Sequence, residues 1–335
     1  MSSERPDFLG IEGRSADDLT RWLDEAEAML PFASGEKRVP EPLPLAGKIV
    51  ANIFFEDSTR TRVSFEVATK RLGGEVTNLG ATGSSASKGE TLLDTARNIE
   101  AMGVDAVVVR SSISGGAHML AKRLSVPVIN AGDGRHEHPT QGILDLLTLR
   151  RHLTHMPHMP GGPANRGGNA GGVFPAAGSV FSGRTIAIVG DIVNSRVARS
   201  AAHGLVGLGA TVLLIGPPAL VTNDFDELAS GPGTIEVSHD LDKALDRLDA
   251  VMMLRIQTER SAGSGVAPDY RSLFGMTESR ASRLPERCAI LHPGPVNRGV
   301  EIDDAVADDP RASRILPQVT AGVATRMAVL KRILA

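Results

Sequence analysis

Residues 48–68, KIVANIFFEDSTRTRVSFEVA, join an apolar strand to a helix through the polar turn EDSTRTR. Strands that alternate with helices in this way build parallel sheets covered by helices. The same alternation recurs along the chain, and we predict further strands at EVTNLG, DAVVVR, VPVINA, RTIAIVG, ATVLLIG, GTIEVS, DAVMMLR and CAILH. The pattern indicates an α/β fold with two domains, each a mainly parallel sheet flanked by helices, joined by interdomain helices.

A stretch without periodicity divides the chain near its middle. Residues 152–182 are rich in Gly, Pro, Ala and Asn, which favours a surface connection or insertion. We therefore expect one domain at residues 1–151, the insertion or linker at 152–182 and a second domain at 183–314. No strand follows the last helix, at about 315–335, and we expect that helix to pack back on the first domain.

Composition excludes several classes of protein. The chain has 335 residues, a net charge of -3 and only 3% aromatic residues, which does not suit a nucleic-acid binder. No apolar run approaches the ~18 residues of a membrane span, and the start MSSERPDFLGIEGRS lacks the apolar stretch of a secretory signal. We therefore expect a cytoplasmic protein. The single Cys288 lies in an apolar strand with no base beside it, so we interpret it as a buried small residue rather than a nucleophile.

The turn after the first strand is the strongest candidate site. A helix that opens near Ser58 presents unpaired backbone N–H groups and partial positive charge at its first turn. Ser58, Thr59, Arg60 and Thr61 add hydroxyls and a guanidinium there, which is the chemistry of a phosphate cradle. The alternative for an isolated STR is an ordinary helix cap followed by solvated arginines. The full run STRTR on a strand-to-helix turn favours the phosphate site.

Other polar side chains follow predicted strands in the first half. Arg110 ends DAVVVR, and Pro139 opens a helix that projects His138 and Gln141 from its first turn. The loop TGSSASKGE carries Lys88. Taken singly, each has a plainer interpretation: a surface ion pair for the arginine, a capping histidine with a solvated glutamine, and a flexible loop with a solvated lysine.

The second half repeats this arrangement. Arg196 begins a helix after RTIAIVG, and Arg255 and Gln257 lie at the end of DAVMMLR. Gly294 and Pro295 form a turn after CAILH that can present backbone carbonyls. The GxGxxG turn of dinucleotide folds is absent, so we expect no nucleotide cofactor. Cations gathered at strand ends in an acidic chain imply a strongly anionic ligand that spans both domains, with phosphate on the first and carboxylates on the second.

Three histidines in the middle of the chain suggest a metal site only weakly. His152, His155 and His158 are spaced three apart, but Pro157 and the Gly-rich continuation break the helix that would align them. We interpret this segment as a plain linker.

The motifs FFEDSTRTR, SSASKGETLLDT, DAVVVR, HPTQ, RIQTER and HPGPVNRG together resemble the catalytic chains of bacterial aspartate carbamoyltransferases, within the aspartate/ornithine carbamoyltransferase superfamily. The resemblance runs from about residue 8 to the C-terminus. STRTR with HPTQ is typical of carbamoyltransferases in general, whereas Lys88, Arg255 and Gln257 point to the aspartate branch. One departure is the 152–182 insertion, which is longer and more Gly-rich than the family's usual connection.

The resemblance implies an enzyme that transfers the carbamoyl group of carbamoyl phosphate to the α-amine of L-aspartate, an early step of pyrimidine biosynthesis. It implies that the phosphate is held by Ser58, Thr59, Arg60, Thr61 and Arg110, with Ser84 and Lys88 supplied by a neighbouring subunit. The groups that would polarise the carbamoyl oxygen are Thr61, Arg110 and His138. Those that would hold the carbamoyl nitrogen are Gln141 and the backbone around Gly294 and Pro295. The carboxylates of aspartate would be bound by Lys88, Arg196, Arg255 and Gln257.

The resemblance also implies no metal and no organic cofactor, and a homo-oligomer, at least a trimer, with shared sites. Partners of such chains include a regulatory chain or a dihydroorotase. Two alternatives stay open at this point. One is ornithine carbamoyltransferase, although that family usually has a cysteine where Pro293 follows His292. The other is a non-catalytic anion-binding protein that keeps the fold.

Overall fold

The computed structural model describes residues 6–80, 90–154, 180–256 and 269–335. The chain divides into two compact units. Unit 1 comprises Met1–Ile11, Trp22–Leu144 and Thr320–Ala335, and unit 2 comprises Glu12–Arg21 and Asp145–Val319.

The described residues form ten α-helices. They are α1 (Ala16–Ser34), α2 (Thr59–Arg71), α3 (Leu92–Ala101), α4 (Gly116–Ala121), α5 (Pro139–Thr154), α6 (Arg196–Gly207), α7 (Tyr270–Phe274), α8 (Glu278–Ala281), α9 (Asp304–Ala307) and α10 (Ile315–Leu334). Three of them, α1, α5 and α10, begin in one unit and end in the other. Within the described residues, no helix is both long and apolar enough to cross a membrane.

Unit 1 contains a four-stranded sheet in the order β2-β1-β3-β4. Its strands are β1 (Ile49–Phe54), β2 (Glu75–Gly80), β3 (Ala106–Ser111) and β4 (Val128–Asp133), and every pair is parallel. β1 and β3 are buried along almost their whole length, as expected for central strands covered on both faces. The outer edge of β4 is covered by Phe8, which pairs with Ile129.

Unit 2 contains a five-stranded sheet in the order β7-β6-β5-β8-β9, again parallel throughout. Its strands are β5 (Thr185–Val189), β6 (Thr211–Ile215), β7 (Thr234–Ser238), β8 (Ala250–Met253) and β9 (Ala289–Leu291). All nine strands predicted from the sequence are therefore confirmed. The strands are three to six residues long, and the central ones, such as β1 and β5, are apolar runs buried on both faces.

Local signals determine where the helices begin and end. The Thr91 side chain accepts a hydrogen bond from the Asp94 N–H at 3.1 Å and so caps α3. Gly103 follows that helix at a φ of +85°, the left-handed conformation that ends helices and favours glycine. The apolar face of α3 contributes Leu92 and Ala96 to a buried cluster with Ile53 of β1. Each large aliphatic side chain buried in this way contributes about 1.5–3 kcal/mol.

Candidate active site

The strand order of unit 1 identifies one edge of its sheet as the place for a ligand. The chain runs from β1 to β2 on one side and then crosses to β3 on the other, so the order reverses between β1 and β3. In open parallel sheets, ligands bind beyond the carboxyl ends of the two strands that flank this reversal. Phe54, the last residue of β1, lies in register with Arg110 of β3, and the STRTR turn follows four residues later. The phosphate-cradle motif and Arg110 therefore belong to the same sheet edge.

The N-terminus of α2 has the features of an anion site. The helix begins at Thr59, and the Ser58 side chain makes no capping hydrogen bond. No acidic residue lies in the first turn, and Thr59 and Arg60 are exposed, whereas Thr61 is buried. Because a helix N-terminus carries partial positive charge and N–H donors, this end favours a phosphate over an ordinary serine cap.

Arg110 is held by the protein at two points. Its Nη1 donates to the Ala131 carbonyl at 3.0 Å, and its Nε lies 3.7 Å from Glu56 Oε2. Both side chains of this ion pair are mostly buried. These contacts leave the guanidinium preorganised at the end of β3, one residue before the strand ends at Ser111.

His138 and Gln141 lie at the start of α5, as predicted from Pro139. The His138 carbonyl accepts the Gln141 N–H at 2.9 Å, and both side chains are buried. The preceding loop is organised by Asp133, whose carboxylate accepts hydrogen bonds from the Gly115 N–H, the Asn130 side chain and the Glu137 N–H at 2.8–3.1 Å. Sequence reasoning did not identify Asp133. The run GDG, which directly follows the predicted strand VPVINA, is the signal that could have done so.

His118, Asp133 and His136 bring potential metal ligands within 4.8 Å of one another. The carboxylate of Asp133 already accepts the three hydrogen bonds described above, and His136 Nδ1 lies 3.1 Å from its Oδ2. A metal ion would have to displace these donors, so we assign the cluster to the structure of the loop.

Unit 2 has the same relation between strand order and cations. Its order reverses between β5 and β8, and Val189 at the end of β5 lies in register with Met253 at the end of β8. Arg196 is the first residue of α6, and Arg255 comes two residues after β8. The Ser195 side chain accepts the Ala198 N–H at 3.1 Å and so caps α6, which places Arg196 in its first turn.

The two strand ends of unit 2 approach each other closely at Gly190. Its φ is +136°, and a Cβ there would lie 3.0 Å from the Cβ of Leu254. Glycine is therefore required where the β5 and β8 ends meet beside Arg255. The buried hydroxyl of Tyr270 lies 3.4 Å from the same position. Burial raises the pKa of the Tyr270 phenol, and the negative charges of Glu301 and Asp191 raise it further.

The turn after β9 presents backbone at the same edge of this sheet. Gly294 has a φ of +64°, the Gly294–Pro295 peptide bond is cis, and Pro295 is exposed. His292 and Glu301 are buried behind the turn, 3.0 Å apart. Neither was among the side chains that sequence reasoning selected.

Three candidate residues cannot be placed. Ser84, Lys88 and Gln257 lie outside the described residues, as do His155 and His158. The roles proposed for them from the sequence stay predictions.

His152 and Cys288 are structural. His152 Nδ1 accepts from Arg314 Nε at 3.2 Å, and its Nε2 lies 2.8 Å from the Arg287 carbonyl, so both ring nitrogens have protein partners. His152 is a buried residue of α5, not part of a linker. Cys288 is buried, and burial raises the pKa of its thiol, which agrees with its interpretation as a small core residue.

The environment of His152 makes a pH-dependent contribution to stability. Burial lowers its pKa below the ordinary value of 6.5, and the neighbouring charges of Arg314 and Arg184 lower it further. The unfolded chain therefore binds this proton more readily, so the contribution is complete above about pH 6.5 and is lost as the pH falls. His152→Gln can donate and accept in the same places without charging. We expect the Tm of the parent to fall more steeply than that of the variant between pH 7.5 and 5.5, which scanning calorimetry measures. Parallel Tm curves would contradict this assignment.

The fold and the cations at the carboxyl ends of its two sheets define a class of protein. The class comprises α/β proteins of two units that present cations and helix N-termini to strongly anionic ligands. Comparison with known proteins narrows that class. The model for the aspartate/ornithine carbamoyltransferase carbamoyl-P binding domain matches residues 6–151, and the model for the Asp/Orn binding domain of the same proteins matches residues 182–333. The chain belongs to the aspartate/ornithine carbamoyltransferase family.

Individual relatives cover nearly the whole chain. The aspartate carbamoyltransferase catalytic subunit of Myxococcus xanthus is 48% identical over 326 residues, which is 97% of this chain and 98% of the relative. Among solved structures, aspartate transcarbamoylase from Trypanosoma cruzi in complex with N-(phosphonacetyl)-L-aspartic acid has a TM-score of 0.81 at 28% identity, covering 100% of this chain and 98% of the other. The catalytic subunit of M. Jannaschii aspartate transcarbamoylase has a TM-score of 0.77 at 30% identity, and the match covers 98% of this chain and 97% of the other.

Proposed function

We propose that this chain transfers the carbamoyl group of carbamoyl phosphate to the α-amine of L-aspartate, giving N-carbamoyl-L-aspartate and phosphate. The observation that carries the proposal is the position of four arginines. In unit 1, Arg60 follows β1 and Arg110 lies at the end of β3, and the strand order reverses between these two strands. In unit 2, Arg196 follows β5 and Arg255 follows β8, where the strand order reverses again. The names of the relatives supply the two substrates whose charges suit these groups.

Unit 1 is proposed to bind carbamoyl phosphate. The N-terminus of α2 receives the phosphate through its first-turn N–H groups and the side chains of Ser58, Thr59, Arg60 and Thr61. Arg110 faces both the phosphate and the carbamoyl oxygen. His138 and Thr61 donate to that oxygen, and Gln141 binds the carbamoyl nitrogen.

Unit 2 is proposed to bind aspartate. Arg196 and Arg255, with Gln257, hold the two carboxylates, since a guanidinium matches a carboxylate with two parallel hydrogen bonds. The backbone carbonyls around Gly294 and Pro295 accept from the carbamoyl nitrogen. For the domains we propose the bounds expected from the sequence, 1–151 with the last helix and 183–314, which differ from the two compact units at residues 12–21, 145–151 and 315–319.

The chemistry needs no enzyme nucleophile. The neutral amine of aspartate forms a bond to the carbamoyl carbon, and negative charge develops on the carbamoyl oxygen. The bond from carbon to the phosphate oxygen then breaks, and the departing phosphate accepts the proton that the amine loses. The enzyme contributes orientation of the two substrates and fixed donors around the developing charge.

Aspartate is favoured over ornithine by charge. The side chain of ornithine ends in an amine, which needs an acceptor, whereas Arg196 and Arg255 offer donors to a second carboxylate. We expect the purified chain to turn over carbamoyl phosphate with aspartate and to show no product with ornithine, measured as released phosphate and as the carbamoylated amino acid. Turnover with ornithine alone would reverse the assignment. Calorimetric binding of N-(phosphonacetyl)-L-aspartate without any turnover would instead identify a non-catalytic member of the fold.

The assembly is a further part of the proposal. We propose a homotrimer in which Ser84 and Lys88 of one chain complete the site of its neighbour, in a protein of pyrimidine biosynthesis. The description of the relatives as catalytic subunits supports an oligomer, and a regulatory chain or a dihydroorotase is the partner class to test for. A cytoplasmic location stays a prediction from the sequence.

A further inference from the structure

The turn that presents Gly294 and Pro295 is anchored by a fully buried histidine–glutamate pair. The side chains of His292 and Glu301 are 0% exposed, and His292 Nε2 lies 3.0 Å from Glu301 Oε1. The Gly294 backbone N–H donates to His292 Nδ1 at 2.7 Å. Because an N–H can only donate, Nδ1 is the acceptor, and the ring proton lies on Nε2 and is donated to Glu301. The pair therefore fixes the tautomer of His292 as well as its orientation.

The same carboxylate oxygen also holds the far side of the turn. The Asn297 backbone N–H donates to Glu301 Oε1 at 2.6 Å. The Glu301 carboxylate thus joins a residue two positions before Gly294 to a residue two positions after Pro295.

A third contact connects the turn to the neighbouring strand end. The Asn297 side chain donates from Nδ2 to the Ile256 carbonyl at 2.8 Å. Ile256 is fully buried and directly follows Arg255. Displacement of Asn297 would therefore shift the backbone next to Arg255.

We propose that Glu301 is a positioning residue, which acts through His292 and Asn297 to hold the Gly294–Pro295 carbonyls and the Arg255 backbone in one fixed arrangement. This inference rests on the proposed function, in which those carbonyls orient the carbamoyl nitrogen. Because Glu301 Oε1 accepts two hydrogen bonds in a fully buried position, its orientation is fixed, and orientation matters because a displacement of about 1 Å at a reacting group can cost about 10²-fold in rate. Glu301 acts on orientation, so its loss is expected to lower kcat more than it raises KM.

The test compares Glu301→Ala with Glu301→Gln. Glu301→Ala removes both anchors, and we expect kcat to fall by about 10–100-fold with KM for both substrates changed less than about threefold. Glu301→Gln keeps an acceptor at Oε1 and the same volume, so it should recover most of that loss. Active sites are counted by titration with N-(phosphonacetyl)-L-aspartate, so that kcat refers to folded enzyme. Amide hydrogen exchange of residues 292–297 should accelerate in Glu301→Ala, a readout that does not depend on turnover.

A matched control removes another buried carboxylate of unit 2. Asp249 accepts from Arg184 Nη1 at 2.8 Å and from the Thr185 N–H at 3.0 Å, at the amino ends of β5 and β8, the edge opposite to the turn. Asp249→Ala should lower Tm while leaving kcat per titrated site unchanged. If Glu301→Ala behaves like this control, with lower Tm and unchanged kcat and exchange, the positioning role is wrong and Glu301 is only structural. If the unmodified chain shows no carbamoyl transfer, the proposed function fails instead, and the exchange measurement still decides whether Glu301 anchors the turn. Should Glu301→Ala not fold, Glu301→Gln and Asn297→Ala carry the same comparison.

Discussion

Arg110→Ala is expected to lower kcat/KM for carbamoyl phosphate by about 10³-fold, because loss of one preorganised donor to developing charge typically costs about 10²–10³ in turnover and the phosphate loses a cation as well. The side chain is held in place by the Ala131 carbonyl and lies 3.7 Å from Glu56 Oε2. In the proposed complex, removal of Arg110 takes away the cation between the phosphate and Glu56, so repulsion between Glu56 and the phosphate adds to the loss. Steady-state kinetics with varied carbamoyl phosphate at saturating aspartate measure the effect.

Lys48 provides the control for this prediction. Its Nζ lies 3.0 Å from Asp105 Oδ1, and these residues precede β1 and β3, the same two strands that lead to the STRTR turn and to Arg110. Lys48→Ala thus removes a cation from the opposite edge of the same sheet, and we expect kcat/KM to change by less than about twofold. Glu56→Gln in the Arg110→Ala background should recover part of the lost affinity. If Arg110→Ala retained activity close to that of Lys48→Ala, the phosphate would have to bind elsewhere.

The parts of this protein that the sequence predicts are those governed by local rules. β-branched runs such as those of β1 and β5 place the strands because both faces must be buried. Pro139 locates the start of α5, and the helix starts expected near Ser58 and at Arg196 are each found to within a residue. The carboxyl ends of parallel strands then bring Arg110 beside the STRTR turn without any further information.

The parts that it does not predict depend on long-range pairing. His292 and Glu301 are nine positions apart in a segment without regular periodicity, and only the folded turn brings them together. In the sequence Asp133 resembles an ordinary turn residue, and only the folded chain brings the donors of Gly115 and Asn130 to its carboxylate. The division into units is also not local, because Glu12–Arg21 belongs to unit 2 while the residues on either side belong to unit 1. Sequence motifs therefore identify the groups proposed to touch ligand more readily than the groups that hold them.

Mixing two inactive variants, Arg60→Ala and Lys88→Ala, is expected to restore activity if Lys88 completes the site of a neighbouring chain. In a closed ring of identical subunits, each site would combine Arg60 of one chain with Lys88 of the next. A site is then intact only where a Lys88→Ala chain supplies Arg60 and the adjacent Arg60→Ala chain supplies Lys88. Random assembly from equal amounts makes this about one site in four, so specific activity should rise from near zero to about a quarter of that of the parent.

The design of this mixing experiment separates shared sites from sites contained in one chain. Subunit exchange is confirmed by native mass spectrometry of chains that carry different tags, after dissociation and reassembly. The control mixes Lys88→Ala with a chain that carries both substitutions; since no chain then supplies Lys88, no hybrid can hold an intact site and activity should stay at background. If every site were built from one chain, the Arg60→Ala and Lys88→Ala mixture would behave like this control even though hybrids form. Recovery therefore requires both that the protein is oligomeric and that Lys88 of one chain completes the site that contains Arg60 of its neighbour, because neither condition alone brings the two cations together.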